Sequence, residues 1–206
     1  MSSYDFFSNP YYNNRRNKNT NINVLCKLLN TWIDDMKEYG DDIIPPNAKF
    51  LYTATGIPAQ TFDNNFANLY GVIFCAKNFV IEDIKNSITA SLLPPQTPIE
   101  AIKRITSIQP DDIDSNDPRK TCIDFAVRHL PFSFWKEALL PIRPILLKDL
   151  PNYGESANDL FYACFVSQCQ YLFYHWVVNN HDHSCIEQDL LYMQRAIKLL
   201  PHIFSA

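Results

Sequence analysis

Apolar positions recur at helical spacing along most of this chain, and prolines separate one run from the next. Val24, Leu25, Leu28, Leu29, Trp32, Ile33 and Met36 form a single stripe at i, i+3, i+4, i+7 spacing. That stripe predicts an amphipathic helix starting at Thr20 or Asn21. Gly40 suits the position just past its end, and Pro45-Pro46 forbid continuation. Residues 47–55 are compatible with a short helix or an irregular segment. From Pro58 a helical pattern returns through about Lys77, with Phe62, Phe66, Leu69, Tyr70, Ile73 and Phe74 on one side. A further run from Val80 to Leu93 ends at Pro94-Pro95. Thr97-Pro98-Ile99-Glu100 combines an N-cap hydroxyl, a first-turn proline and a glutamate placed to reach back to the cap N–H, so a helix is predicted from there to near Ile108. Asp117-Pro118 opens the next, to about Leu130, and Ser133 a short one to Leu140.

The last third reads as two helices. The first runs from about Ser156 to Asn179. The second opens at Ser184-Cys185-Ile186-Glu187, a capping-box pattern, and stops near Leu200 before Pro201. No alternating segments joined by a two-residue turn are present, so strands are not expected. The pattern predicts an all-α, single-domain irregular bundle of about seven helices over residues 21–206. Residues 1–20 carry no periodicity and are expected to form a flexible, aromatic and Asn-rich arm.

Composition sharpens this picture. The 206 residues include only four glycines, against about fourteen at average usage, and fourteen prolines. Gly40, Gly56, Gly71 and Gly154 stand far apart, which excludes glycine-rich phosphate loops and nucleophile elbows. A net charge of −4 with no basic stripe argues against nucleic-acid binding. Residues 1–20 hold no continuous apolar core of a signal peptide, so a cytoplasmic protein is expected. Most of the six cysteines, which include no C-x-x-C pair, are then expected to be small buried hydrophobes.

Leu160 to Val178 is nineteen residues long without Asp, Glu, Lys or Arg, close to the roughly twenty that span a bilayer. Ser167, Gln168, Gln170 and His175 interrupt it, which predicts a central core helix and no membrane insertion.

Candidate chemistry is sparse. His181-Asp182-His183-Ser184-Cys185 groups two imidazoles and a thiol, which suit Zn²⁺ if Cys169 or His175 supplies a fourth ligand. A metal-dependent helical hydrolase using His181 and His183 is the enzymatic alternative. The competing expectation is a polar turn in which Ser184 caps the final helix. Asp112, Asp114 and Asn116 start like a calcium loop, but Asp117 and Ile123 stand where glycine and a bidentate glutamate are required. No catalytic residue, bound metal or cofactor is assigned from these patterns.

Two features point outward. Tyr4, Phe6, Phe7, Tyr11 and Tyr12 lie in the arm, where aromatic side chains serve as anchors for a partner's pockets or fold back on the bundle. Ile142, Ile145, Leu146 and Leu147, with Leu150, lie in the proline-broken stretch from Leu139 to Pro151, which either wraps the core or offers an apolar ridge. These nine residues, without Leu150, are the predicted partner-binding set. They favour a non-enzymatic protein–protein interaction subunit.

The tail YMQRAIKLLPHIFSA and the run LFYACFVSQCQYLFYHW, together with length, acidity and the Asn-rich, Gly-poor style, resemble the small acidic LvgA-like virulence adaptors of the Dot/Icm type IV secretion coupling complex. The resemblance implies a cytosolic, chaperone-like adaptor held at the inner membrane face through its partners. Those partners would be other small adaptor subunits and the coupling ATPase, and its task would be to help present effector proteins for export. A secreted effector would carry the same patterns.

Overall fold

The computed structural model describes residues 18–39, 47–89, 93–107, 118–148, 154–179, 182 and 184–204. The chain is all-helical over these residues. They form α1 (Lys18–Tyr39), α2 (Ala48–Ala54), α3 (Ala59–Phe66), α4 (Leu69–Thr89), α5 (Pro98–Ile105), α6 (Pro118–His129), α7 (Phe132–Ala138), α8 (Arg143–Leu147), α9 (Glu155–Val178) and α10 (Glu187–Phe204). Two 3₁₀ turns, Leu140–Ile142 and Ser184–Ile186, precede α8 and α10. The ten α-helices among the described residues exceed the seven or so read from periodicity, because several are too short to show a stripe. Two compact units are distinguished: Met1–Glu82 with Asp114–Ala126, and Asp83–Ile113 with Val127–Ala206.

In the first unit the predicted α1 stripe is the core face: Leu25, Leu28, Leu29, Trp32 and Ile33 are buried. Trp32 meets Phe125 of α6 edge-on, with ring centroids 5.2 Å apart. Phe62 of α3 lies between Tyr52 and Phe66, 5.7 Å from each. Burying a side chain of this size contributes roughly 1.5–3 kcal/mol.

Local chemistry explains the short elements here. Asn47 caps α2 by accepting from the Phe50 N–H at 2.8 Å. Gly56, at φ +67°, closes α2 with a paired turn. Its own N–H donates to Thr53 O, and the Ile57 N–H donates to Tyr52 O at 2.9 Å. The segment left open by the sequence is therefore a helix with both ends capped.

The run from Pro58 to Lys77 is not one helix. The chain breaks at Ala67, a non-glycine residue at φ +58°. Asn68 then caps α4, its side chain accepting from the Gly71 N–H at 3.0 Å. Beyond that break α4 continues without interruption past the expected restart at Val80.

In the second unit α9 packs against α7, α8 and α10, and α10 also packs against α5. Phe161, Phe165, Cys169, Leu172, Phe173 and Trp176 of α9 are buried, and Phe173 stacks on Trp135 of α7 at 5.3 Å. The Tyr162 hydroxyl donates to the Lys136 carbonyl at 2.6 Å. Arg143 pairs with Asp159 and lies 5.8 Å from the Tyr162 ring centre.

The Thr97 cap of α5 forms as expected, accepting from the Glu100 N–H at 3.1 Å. Glu100 reaches one residue further than expected, to the Gln96 N–H at 2.8 Å, and also pairs with Arg104. Arg104 in turn donates to the carbonyls of Ile88 and Leu93, satisfying an acceptor near the end of α4.

Two further expectations are corrected. Ser184 does not cap α10; its N–H and hydroxyl both donate to the Asp182 carboxylate at 2.9 Å. The last helix also runs through Pro201 to Phe204, where proline removes an intrahelical N–H without ending the helix. Among the described residues no helix is long and apolar enough to cross a membrane.

Candidate functional site

The expected core helix α9 is buried on one side and open on the other. Leu160, Ser167, Tyr171, Tyr174 and Val178 are all exposed, and they recur every three, four or seven residues along one line of the helix. Tyr171 is 63% exposed and Tyr174 50%. Leu191, Tyr192 and Leu199 of α10 are exposed as well.

Where α9 and α10 pack together they enclose a groove of about 550 Å³. Gln168, Tyr171 and Leu172 line it from α9, and Asp189, Tyr192, Met193 and Ala196 from α10, with Ser167 beside them. The two sets share one register. Gln168, Tyr171, Leu172 and His175 stand at i, i+3, i+4, i+7, as do Asp189, Tyr192, Met193 and Ala196. The floor is apolar, with Leu172 and Met193 buried, while Tyr192 is exposed.

Polar groups fix one end of this groove. His175 Nδ1 and Asp189 Oδ2 lie 2.6 Å apart, a charge-assisted bond tying α9 to α10. Since a carboxylate can only accept, the hydrogen sits on Nδ1. Tyr171 stacks on the His175 ring with centroids 6.2 Å apart. The Gln168 side-chain oxygen is buried and has no hydrogen-bond partner among the described residues. A second groove of about 570 Å³ flanks α10 on its α5 side, lined by Ile99, Lys103, Glu187, Leu190, Leu191 and Gln194.

Of the residues singled out from the sequence, Tyr4, Phe6, Phe7, Tyr11 and Tyr12 lie outside the described residues, as do His181 and His183. The Leu139–Pro151 ridge largely turns inward. Ile142 and Leu146 are buried, and Ile145 and Leu147 are half-buried. Pro141 and Pro144 break the stretch into a 3₁₀ turn and α8, and this folds its aliphatic side chains against their own unit. Among the described aliphatic residues of the ridge, Leu140 is left exposed.

The proposed fourth metal ligands are committed elsewhere. Cys169 is fully buried, which pushes its thiol well above the usual range, and His175 is bonded to Asp189. Burial, together with the Asp182 and Asp189 charges, also raises the Cys185 thiol, whose Sγ donates to the Asp182 carbonyl. Among the described residues no group of three or more His, Cys, Asp or Glu side chains could hold a metal ion.

Residue chemistry therefore converges on the α9–α10 surface, which sequence reasoning passed over. Aromatic and aliphatic residues surround α9 on all sides, so periodicity cannot separate exposed Tyr171 from buried Trp176. The i, i+7 placement of Gln168 and His175 on one side of a largely apolar run was the available signal. No family model, curated protein or solved structure matches the chain.

Proposed function

We propose that this protein is a non-enzymatic protein–protein interaction subunit that docks its partner on the exposed face of α9 and α10. The observation that carries the reading is the exposed apolar set on these two packed helices: Tyr171 and Tyr192 line their groove, Tyr174 and Val178 continue the Tyr171 line along α9, and Leu199 stands seven residues beyond Tyr192 on α10, all open to solvent. Solitary exposed hydrophobes need no explanation, but a grouped set around a groove marks a surface built to be covered. Tyrosine suits the purpose, since it buries a large rigid ring at little entropic cost and is enriched among residues that dominate binding energy.

In its finer form the reading is a chaperone-like adaptor of a type IV secretion coupling complex. Both segments that carry the resemblance, residues 160–176 and 192–206, fall largely on α9 and α10, the helices that form this face. The aromatic arm and Leu140 supply further anchors in this proposal.

Parallel affinity purification of the wild-type chain and a Tyr171→Ser, Tyr174→Ser, Tyr192→Ser triple variant from native cells tests both forms. Proteins recovered in stoichiometric amount with the wild type and lost with the variant are expected. A coupling ATPase and small acidic subunits among them would support the secretion reading. Equal recovery with both chains would remove this face from the proposal.

A further inference from the structure

Resting on that docking face, we propose that α9 pairs along its exposed line with α9 of a second copy of this chain, running antiparallel across a two-fold axis. Leu160, Cys164, Ser167, Tyr171, Tyr174 and Val178 follow one another at intervals of four, three, four, three and four residues. At 3.6 residues per turn they lie within roughly 80° of arc. Cys164 is half-buried and the other five are exposed. Alternation of three and four is the spacing by which one helix seats the side chains of another along a shared seam.

What selects a second copy is that the line, reversed, is its own complement. Its spacing is palindromic about a point between Ser167 and Tyr171. Antiparallel pairing about that point sets Leu160 against Val178 of the other copy, Cys164 against Tyr174, and Ser167 against Tyr171, each layer occurring twice. Thiol and hydroxyl then meet tyrosine rings, and aliphatic meets aliphatic at the ends. Parallel pairing would instead oppose Cys164 and Ser167 to themselves, leaving voids, and crowd each tyrosine on its own copy. No Asp, Glu, Lys or Arg occurs from Leu160 to Val178, and Gln168 and Gln170 flank the middle of the line, so self-pairing sets no like charges together there. The exposed part of Leu160, Tyr171, Tyr174 and Val178 amounts to roughly 500 Å² per copy, at about 150–250 Å² for a whole ring. Two copies together bury about 1,000 Å², enough for a specific interface of the smaller kind.

Sedimentation equilibrium of the full-length chain, in a concentration series reaching roughly 200 μM, tests the self-association. A mass of twice 23.9 kDa is expected, falling to that of one chain on Tyr174→Glu. Tyr174 is exposed, so that variant keeps its fold, as circular dichroism will show. Orientation is read from Leu160→Cys and Val178→Cys, both at exposed sites, oxidised separately and as a mixture. In the antiparallel pair position 160 of one copy lies beside position 178 of the other. Like positions are then about 27 Å apart at 1.5 Å per residue, beyond the roughly 7 Å between Cα atoms that a disulfide allows. The mixture is therefore expected to give a 160–178 disulfide between chains, and neither variant alone a like-with-like one. Like-with-like disulfides would overturn the antiparallel arrangement. A dimer untouched by Tyr174→Glu would place the interface elsewhere and overturn the pairing. A single-chain mass throughout would also overturn it, yet leave the docking face to a different protein, which the affinity purification reads separately.

Discussion

Replacing Gly71 by alanine should destabilise the protein, against the direction that helix propensity alone gives. Gly71 sits in the first turn of α4, directly after the break at Ala67-Asn68. A Cβ there would lie 1.9 Å from the Phe66 carbonyl oxygen and 2.8 Å from its carbon. Comfortable carbon–oxygen contact begins at roughly 3.3 Å, so α3 and α4 would have to part by more than 1 Å at this point. The obstacle is backbone, which no rotamer change can relieve. Overpacking of this kind costs about 1–3 kcal/mol, and backbone contact places it at the upper end. Alanine returns up to about 1 kcal/mol through its better helix propensity. The net is a loss of roughly 2 kcal/mol, or about 4–8 °C in Tm for a chain of this size. Thermal unfolding followed by circular dichroism measures it. A Gly71→Ala protein as stable as the wild type, or more so, would refute the close approach of α3 to α4.

Other consequences can be measured with the same preparations. Asn68→Ala removes the cap of α4 and should cost about 1 kcal/mol, read as a lower urea midpoint at unchanged slope. The Glu100 carboxyl is held below its usual 4.5 by the Gln96 N–H and then by Arg104, so its folded value lies beneath its unfolded one. Its stabilising contribution is therefore present above about 4.5 and lost as pH falls through the folded value. Glu100→Gln should lower Tm at neutral pH, and the gap to wild type should close in acid; a gap independent of pH would contradict this. Burial lifts the Cys75 thiol to about 12 and raises Cys169 in the same direction. Under native conditions near neutral pH, an alkylating reagent should therefore reach the half-buried Cys164 and Cys185 before Cys26, Cys75, Cys122 or Cys169. Mass spectrometry of the labelled peptides checks the order.

The helical character of the fold was legible because several elements carry strong local signals. The α1 stripe from Leu25 to Ile33 and the Thr97 cap of α5 each need only a few neighbouring residues to be read. The break between α3 and α4 was not legible, since Phe66, Leu69 and Ile73 keep helical spacing straight across it. What ends α3 is the backbone turn at Ala67 and the side-chain bond of Asn68, and apolar periodicity records neither. Ser184 illustrates the same limit: its N–H and hydroxyl turn back to the neighbouring Asp182 carboxylate, a local bond that a capping pattern does not record. At the surface the difficulty was of another kind. Inward packing of Ile142 and Leu146 and outward display of Tyr171 and Tyr174 depend on which neighbours cover each helix, a tertiary property. The groove's polar end joins His175 to Asp189 across two helices, and only packing brings them together.

Exposure of the α9–α10 face is the claim on which the functional reading turns, and site-specific photocrosslinking in native cells reads it directly. A benzophenone side chain placed at Tyr192 is compared with one at Tyr70, which is 81% exposed and lies far from this face in sequence, on α4. A docking face predicts a discrete protein adduct of defined mass at Tyr192, weakened when Tyr171 and Tyr174 are replaced by serine, and no such adduct at Tyr70. Only diffuse labelling at Tyr192, indistinguishable from Tyr70, would contradict a partner on α9 and α10.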